Sequence, residues 1–289
     1  MSPSRARATT ALALLLLATT ACTAAEHEST PAPHGPSVIR QAKQLRLPLD
    51  AYASTVAETH AMEDAEDILM RRCMADLGME WKPLPRVDVR DVEPPNFRRY
   101  GAEEVEVDRY GYHPSPDPPS VTRRNQAWDE REALPAEVQR AAYGRSGEGG
   151  CRKTAQRELV GDTAPPDYQA FNRLTGKALE TSRRAPEVRD AIRKWRTCMT
   201  KAGFDYPDPL AAAGNERWQT DEPTPAERTT ARADMTCQQS TGVVKVWSAA
   251  ETRIQRRLIE ENADPLHEAK ARKDRWLAAS RRVLNRDDG

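Results

Sequence analysis

Two stretches of this sequence share one pattern: RCMADLGMEWKPLP, residues 72–85, and TCMTKAGFDYPDP, residues 197–209. Each runs Cys-Met, three residues, Gly, an apolar residue, an acid, an aromatic ring and then prolines. A helix end repeated with its cysteine predicts two helical units, each closed by a disulfide. Cys73, Cys151, Cys198 and Cys237 allow three connectivities. The repeat selects Cys73–Cys151 and Cys198–Cys237, since each Cys-Met element then pairs with the next cysteine downstream. Four free thiols would suit a reducing compartment, and a zinc site would need Cys-x2–4-Cys spacing, which no pair has.

The compartment is read from the N-terminus. MSPSRAR carries Arg5 and Arg7 without an acid, and ALALLLLA, residues 11–18, is wholly apolar. A charged segment followed by a short apolar run predicts a signal peptide over residues 1–21, too short to span a bilayer as a mature helix. TTAC, residues 19–22, resembles a bacterial lipobox, although Thr19 stands where that motif prefers Leu. It implies a diacylglyceryl anchor on Cys22, the one cysteine without a partner. TAAEHESTPAPHGPS then begins a polar, Pro-rich tether, placed at residues 22–44. The expected location is the outer face of the cytoplasmic membrane, held by lipid.

Charge narrows the partners. Lysine plus arginine equals aspartate plus glutamate at 44 each, and losing Arg5 and Arg7 with the leader leaves −2. A near-neutral chain predicts no nucleic-acid partner and no polybasic membrane patch. Leu, Val, Ile and Phe together make up 43 of 289 residues, less than a fifth. So little aliphatic material predicts small or elongated cores that need cross-links.

The fold expectation is mostly α: disulfide-stapled helical hairpins or a bundle with a long Pro-rich irregular excursion. Thr55 and Glu58 form a capping box, after which Ala61, Met62, Ala65, Ile68, Leu69, Cys73 and Leu77 recur at helical spacing up to Gly78. Residues 82–120 are too rich in proline for long helices. RVDVRDV alternates as an edge strand would, and NFRRYGAEEVEVDRYGYH has room for a short helix. That stretch reads as packed by its tyrosines on the outside of the fold. Short helices are expected at 134–144 and from Cys151. Asp167 is the expected cap of a helix bearing Tyr168, Phe171, Leu174 and Ala178. Pro186 opens the next, with Val188, Ile192, Trp195, Cys198 or Met199, and Ala202, ending at Gly203. The capping box at Thr224–Glu227 opens a helix carrying Cys237, Val244, Trp247, Ile254 and Leu258 and running to about Asn262, with a last helix over 265–284. Short breaks between long helices predict antiparallel neighbours. The first helical unit spans 45–165 and the second 166–289, either as two units or as one continuous helical domain.

Motifs including LPLDAY, AEDILMRRCMADLGMEW, RRYG, DRYGYH, GEGGC, WRTCMTKAGFDYPDP and ARADMTCQQSTGVVKVW resemble, in that order, a group of actinomycete, streptomycete-like lipoproteins of unassigned function. The likeness covers most of the mature chain. It implies an envelope location and a helical fold and carries over no catalytic residue.

No His-Glu-x-x-His or Gly-x-Ser-x-Gly is present, and His27, His34, His60, His113 and His267 read as solvated surface. SGEGGC lacks the Lys-Ser/Thr of a phosphate loop and reads as a turn that delivers Cys151. The carboxylates of MEDAEDILMRR, with Glu103, Glu104, Glu260 and Glu261, read as exposed ion-pairing groups rather than an acid–base pair. Trp81, Tyr100, Tyr110, Tyr112 and Tyr206 are the candidate binding rings, able to stack on wall glycan or hold a protein if exposed and otherwise local core. Trp195 and Trp247 belong to helix stripes and so to the core. The functional expectation is a non-enzymatic binding or scaffolding module of the envelope, using no cofactor and acting on an envelope protein or the cell wall. A solute-binding lipoprotein, or an envelope enzyme without a recognisable motif, is the alternative.

Overall fold

Helix signals dominate the sequence, and helices dominate the chain. A computed structural model describes residues 37–101, 106–145, 147, 149–164 and 168–287, which fall in one compact unit. Twelve α-helices occur among the described residues, and no strand does. The signal segment, Cys22, Ser146, Glu148, Glu103, Glu104 and the expected cap Asp167 lie outside the described residues. The expected tether overlaps α1 (Val38–Lys43), whose Val38 and Ala42 are buried.

The first core gathers around α2 (Val56–Asp76), whose Thr55–Glu58 capping box forms as expected. Ala65, Leu69, Met70 and Met74 of α2 pack against Ala142 of α5 (Ala136–Tyr143) and against Cys151, Ala155 and Leu159 of α6 (Gly150–Val160). Cys73 and Cys151 are bonded, with Cα atoms 5.6 Å apart.

The second core is built from α8 (Pro186–Lys201), α10 (Pro225–Thr241) and α11 (Val243–Glu261). Trp195 of α8 and Trp247 of α11 are fully buried. At about 25 cal/mol per Å2, each ring contributes roughly 4–6 kcal/mol of transfer free energy before entropy is counted. Cys198 and Cys237 are bonded, with Cα atoms again 5.6 Å apart. The helix α7 (Gln169–Arg183) lies against α11, and Trp247 donates its indole N–H to Ser182 at 2.9 Å.

Three expectations are corrected. RVDVRDV is no edge strand: Val89–Asp91 forms a 3-10 turn, because Asp88 caps it through Arg90 N at 2.9 Å. The helix expected from Thr224 to Asn262 is two helices, broken where Gly242 turns left-handed at φ 63°. Consecutive long helices are not each other's main neighbours: α7 and α8 both pack chiefly on α11, and α12 (Ala263–Asp287) leaves α11 to dock along α2. Trp276 and Ala279 of α12 therefore complete the first core, and Val38, Phe97, Tyr100 and Tyr112 help fill the second. Packing does not follow the division at residue 165.

The Pro-rich excursion was expected outside the fold, but its rings lie inside it. Trp81, just before the excursion, enters the first core, while Phe97, Tyr100 and Tyr112 enter the second. Between the last two, α3 (Val107–Tyr110) ends at Gly111. A Cβ at Gly111 would lie 2.7 Å from Glu227 Oε1, so only glycine allows the strand of chain to approach α10 this closely. α4 (Pro119–Glu132), unforeseen from sequence, follows with Pro119 at its first turn. α9 (Pro209–Ala213) is a single capped turn after the second Cys-Met motif.

Candidate functional site

The acids of MEDAEDILMRR take partners from elsewhere in the chain instead of ion-pairing in solvent as expected. α4 presents Arg124 and Arg131, seven residues and two turns apart, to one face of α2. Arg124 donates to Asp64 and Glu63, both at 2.7 Å, and to the Pro85 carbonyl at 3.0 Å. Arg131 donates to Asp67 and to the Lys82 carbonyl, both at 2.6 Å. Asp67, nearly fully buried, also accepts from Trp81 Nε1 and Leu84 N at 2.8 Å each. Charged acceptors and donors make these bonds stronger than neutral ones. Together they fix residues 82–85 along α2, with α4 alongside.

That arrangement leaves a cleft of about 780 Å3 between α4 and the segment from Met79 to Pro85. Met79, Pro83, Ala127, Leu134 and Val138 supply apolar lining. The guanidinium of Arg131 lies 4.4 Å over the Trp81 ring, so the ring and the cation form one rigid floor. Glu80, Lys82, Arg123 and Glu130 stand exposed on the rim. Both the volume and the lining suit a ligand with an apolar body and a few polar groups.

Three further carboxyl groups are buried in the second core. Glu251 of α11 is held by Arg99, by Tyr100 OH at 2.8 Å and by Gln255 Nε2 at 2.7 Å. Burial and the charge of Glu251 push the Tyr100 phenol well above its ordinary range. Asp234 of α10 accepts from Trp195 Nε1 at 2.7 Å, Tyr112 OH at 3.1 Å and Gln238 Nε2 at 3.0 Å. Complete burial raises its carboxyl to about 7, against the opposing pull of those three donors. Glu227, also on α10, accepts from Tyr112 N at 2.8 Å and from His113 Nδ1 at 2.7 Å.

His113 was expected in solvent and is instead a clasp. Its Nδ1 faces Glu227 and its Nε2 faces the Thr220 carbonyl at 2.7 Å, so both ring nitrogens meet acceptors. Two acceptors favour the doubly protonated ring, and the Thr220 carbonyl, then Glu227, raise its pKa above the ordinary histidine value. His60 is lowered, first by burial and then by Arg124. His267 lies tilted beside Tyr52, with ring centroids 6.1 Å apart.

The candidate binding rings are not exposed faces. Trp81, Tyr100, Tyr112 and Tyr206 are all under 9% exposed, and Tyr110 is half-buried with Arg109 over its ring. Trp81, Tyr100 and Tyr112 pack as core with their N–H and O–H groups bonded to the buried Asp67, Glu251 and Asp234. Of the five, only Trp81 borders the cleft. The residues that build the cleft, Arg124 and Arg131, were not foreseen. Their signal was Pro-Pro followed by a run free of glycine and proline, RRNQAWDERE, which is how a Pro-initiated helix begins.

Among the described residues no group of three His, Cys, Asp or Glu side chains is placed to hold a metal ion, and no helix is long and apolar enough to cross a membrane. Compared with known proteins, the chain matches no family model, no curated protein and no solved structure.

Proposed function

We propose that this protein is a non-enzymatic binding module of the cell envelope, anchored through lipid on Cys22 and presenting the cleft beside α4 to its ligand or partner. The observation that supports this reading is the way the cleft is made. The Pro-rich segment is bolted to α2 through Arg124 and Arg131, and a cleft with an aromatic and cationic floor is left open beside it. Preformed walls lower the entropic cost of association, which suits binding. The leader-like N-terminus, the lipobox-like TTAC and the likeness to actinomycete lipoproteins support the envelope location.

Ala127→Trp tests the cleft, since residue 127 is half-buried on its wall and away from both cores. Tagged wild-type and Ala127→Trp proteins are cross-linked in intact cells and purified with whatever is attached. One defined protein or wall fragment recovered with the wild type and lost with Ala127→Trp is the expected result. The same partner recovered with both would remove the cleft from the function. Cys22→Ala should move the protein from membrane to medium, and unchanged retention would contradict the anchor.

A further inference from the structure

A second cleft, of about 720 Å3, opens at the far end of α7, where it meets α8 and the Pro207–Asp208 step. Five arginines line it: Arg183 and Arg184 at the end of α7, and Arg189, Arg193 and Arg196 from α8. The last three follow i, i+4, i+7 spacing and so share one face of the helix. Every cation lining this cleft is an arginine, although the whole chain is formally neutral. The concentration of charge is local.

The acids nearby do not neutralise it firmly. Asp208 is buried, bonds Arg183 and caps Ala211 N at 3.0 Å, so it is committed to structure. Glu180 lies 3.8 Å from Arg184, Asp190 is 2.5 Å from Arg193 and Asp205 is 3.4 Å from Arg196. All three acids have more than half their side-chain surface exposed. Exposed pairs of this kind are worth only about 0–1 kcal/mol. Arg189 has no side-chain partner among the described residues and is exposed. A planar guanidinium meets phosphate oxygens in two parallel bonds, and several such forks around one cleft suit a ligand carrying more than one phosphate.

We infer that the arginine-lined cleft of α7 and α8 binds a ligand bearing two or more phosphate groups. The same chemistry is offered by a soluble polyphosphate and by two or more single-phosphate headgroups lying side by side in an anionic bilayer. Exposed acids swing away as the ligand arrives, and Asp208 stays in place to hold the wall.

The test uses the full chain carrying Cys22→Ala, so that no lipid contributes to binding. Tripolyphosphate is titrated by calorimetry, and sedimentation is followed with phosphatidylglycerol vesicles. Arg189→Gln with Arg193→Gln should weaken binding at least about tenfold, with an unchanged melting temperature. A second pair, Arg184→Gln with Arg196→Gln, should weaken it in the same direction. Removing two exposed charges elsewhere, Arg256→Gln with Arg257→Gln on α11, should change it less than about twofold. Loss of tripolyphosphate binding in the cleft variants supports a soluble ligand, and loss of vesicle binding alone supports the headgroup source. No binding of either probe to the parent overturns the inference. Equal weakening by the α11 control does so too, because it would reflect net charge and no site.

Discussion

Trp81 and Trp195 perform the same act in different cores: each follows or belongs to a Cys-Met helix, and each donates its indole N–H to a buried aspartate. The surroundings of the two aspartates differ. Asp67 in the first core meets the guanidinium of Arg131, whereas Asp234 in the second meets only neutral donors, Trp195, Tyr112 and Gln238. A buried charge with a cation beside it ties two chain segments together. One without a cation makes the stability of its core depend on pH. The two cores thus share an architecture and not an electrostatics.

Removing the staples is the largest way to probe this pairing. Replacing Cys73 and Cys151 by serine opens a loop with a sequence separation of 78, and the expected loss is about 4.5 kcal/mol by chain entropy. For Cys198 and Cys237 the separation is 39 and the expected loss is about 4 kcal/mol. Urea unfolding measures both, and a difference above about 2 kcal/mol would show that the cores do not depend on their staples alike.

Next in size is Arg131→Met, which leaves Asp67 buried with Trp81 and Leu84 N alone. A loss of about 3–4 kcal/mol at pH 7 is expected, together with loosening of residues 82–85 seen by hydrogen exchange. An unchanged midpoint would mean that the ion pair does not secure the cleft.

Asp234→Asn should act in the opposite direction. The amide keeps an oxygen for Trp195 and Gln238, and its NH2 can donate to the Tyr112 hydroxyl. Asp234 has a folded pKa of about 7, above its ordinary value. Its contribution is complete below the unfolded pKa and is lost as pH rises through about 7. His113 is also raised, so it too favours the fold at low pH and withdraws support above its ordinary value. The wild type should therefore be less stable at pH 8 than at pH 5. Asp234→Asn should gain on the order of 4 kcal/mol at pH 8 and only about 1–2 kcal/mol at pH 5. A variant whose stability falls with pH as steeply as the wild type would place the pH dependence elsewhere.

What the sequence disclosed was local. α8 was legible because its proline start, its apolar stripe from Val188 to Met199 and its glycine end all lie within one helix. The disulfides were legible because the Cys-Met motif repeats. α4 was hidden behind the prolines of HPSPDPPS, which read as loop although Pro119 begins a helix. The cleft was hidden for another reason: Arg124 and Arg131 find acids about 60 residues away, at separations of 60, 61 and 64. Nothing in a run of charges says which of many acids will answer it. α12 poses the same difficulty, since an amphipathic stripe announces that a partner exists and is silent about its identity.

The course of α12 also sets an order of events for a chain that leaves the ribosome from its N-terminus. Arg71 of α2 meets Asp287 across 216 residues, and Trp276 fills a place in the first core. α2, among the first helices to emerge, therefore waits for α12, residues Ala263–Asp287, before its apolar surface is covered. A nascent chain halted before Ala263 holds a second core that can close and a first that cannot. Quality control that senses exposed apolar helices would then find a truncated copy by its N-terminal half, far from the cut.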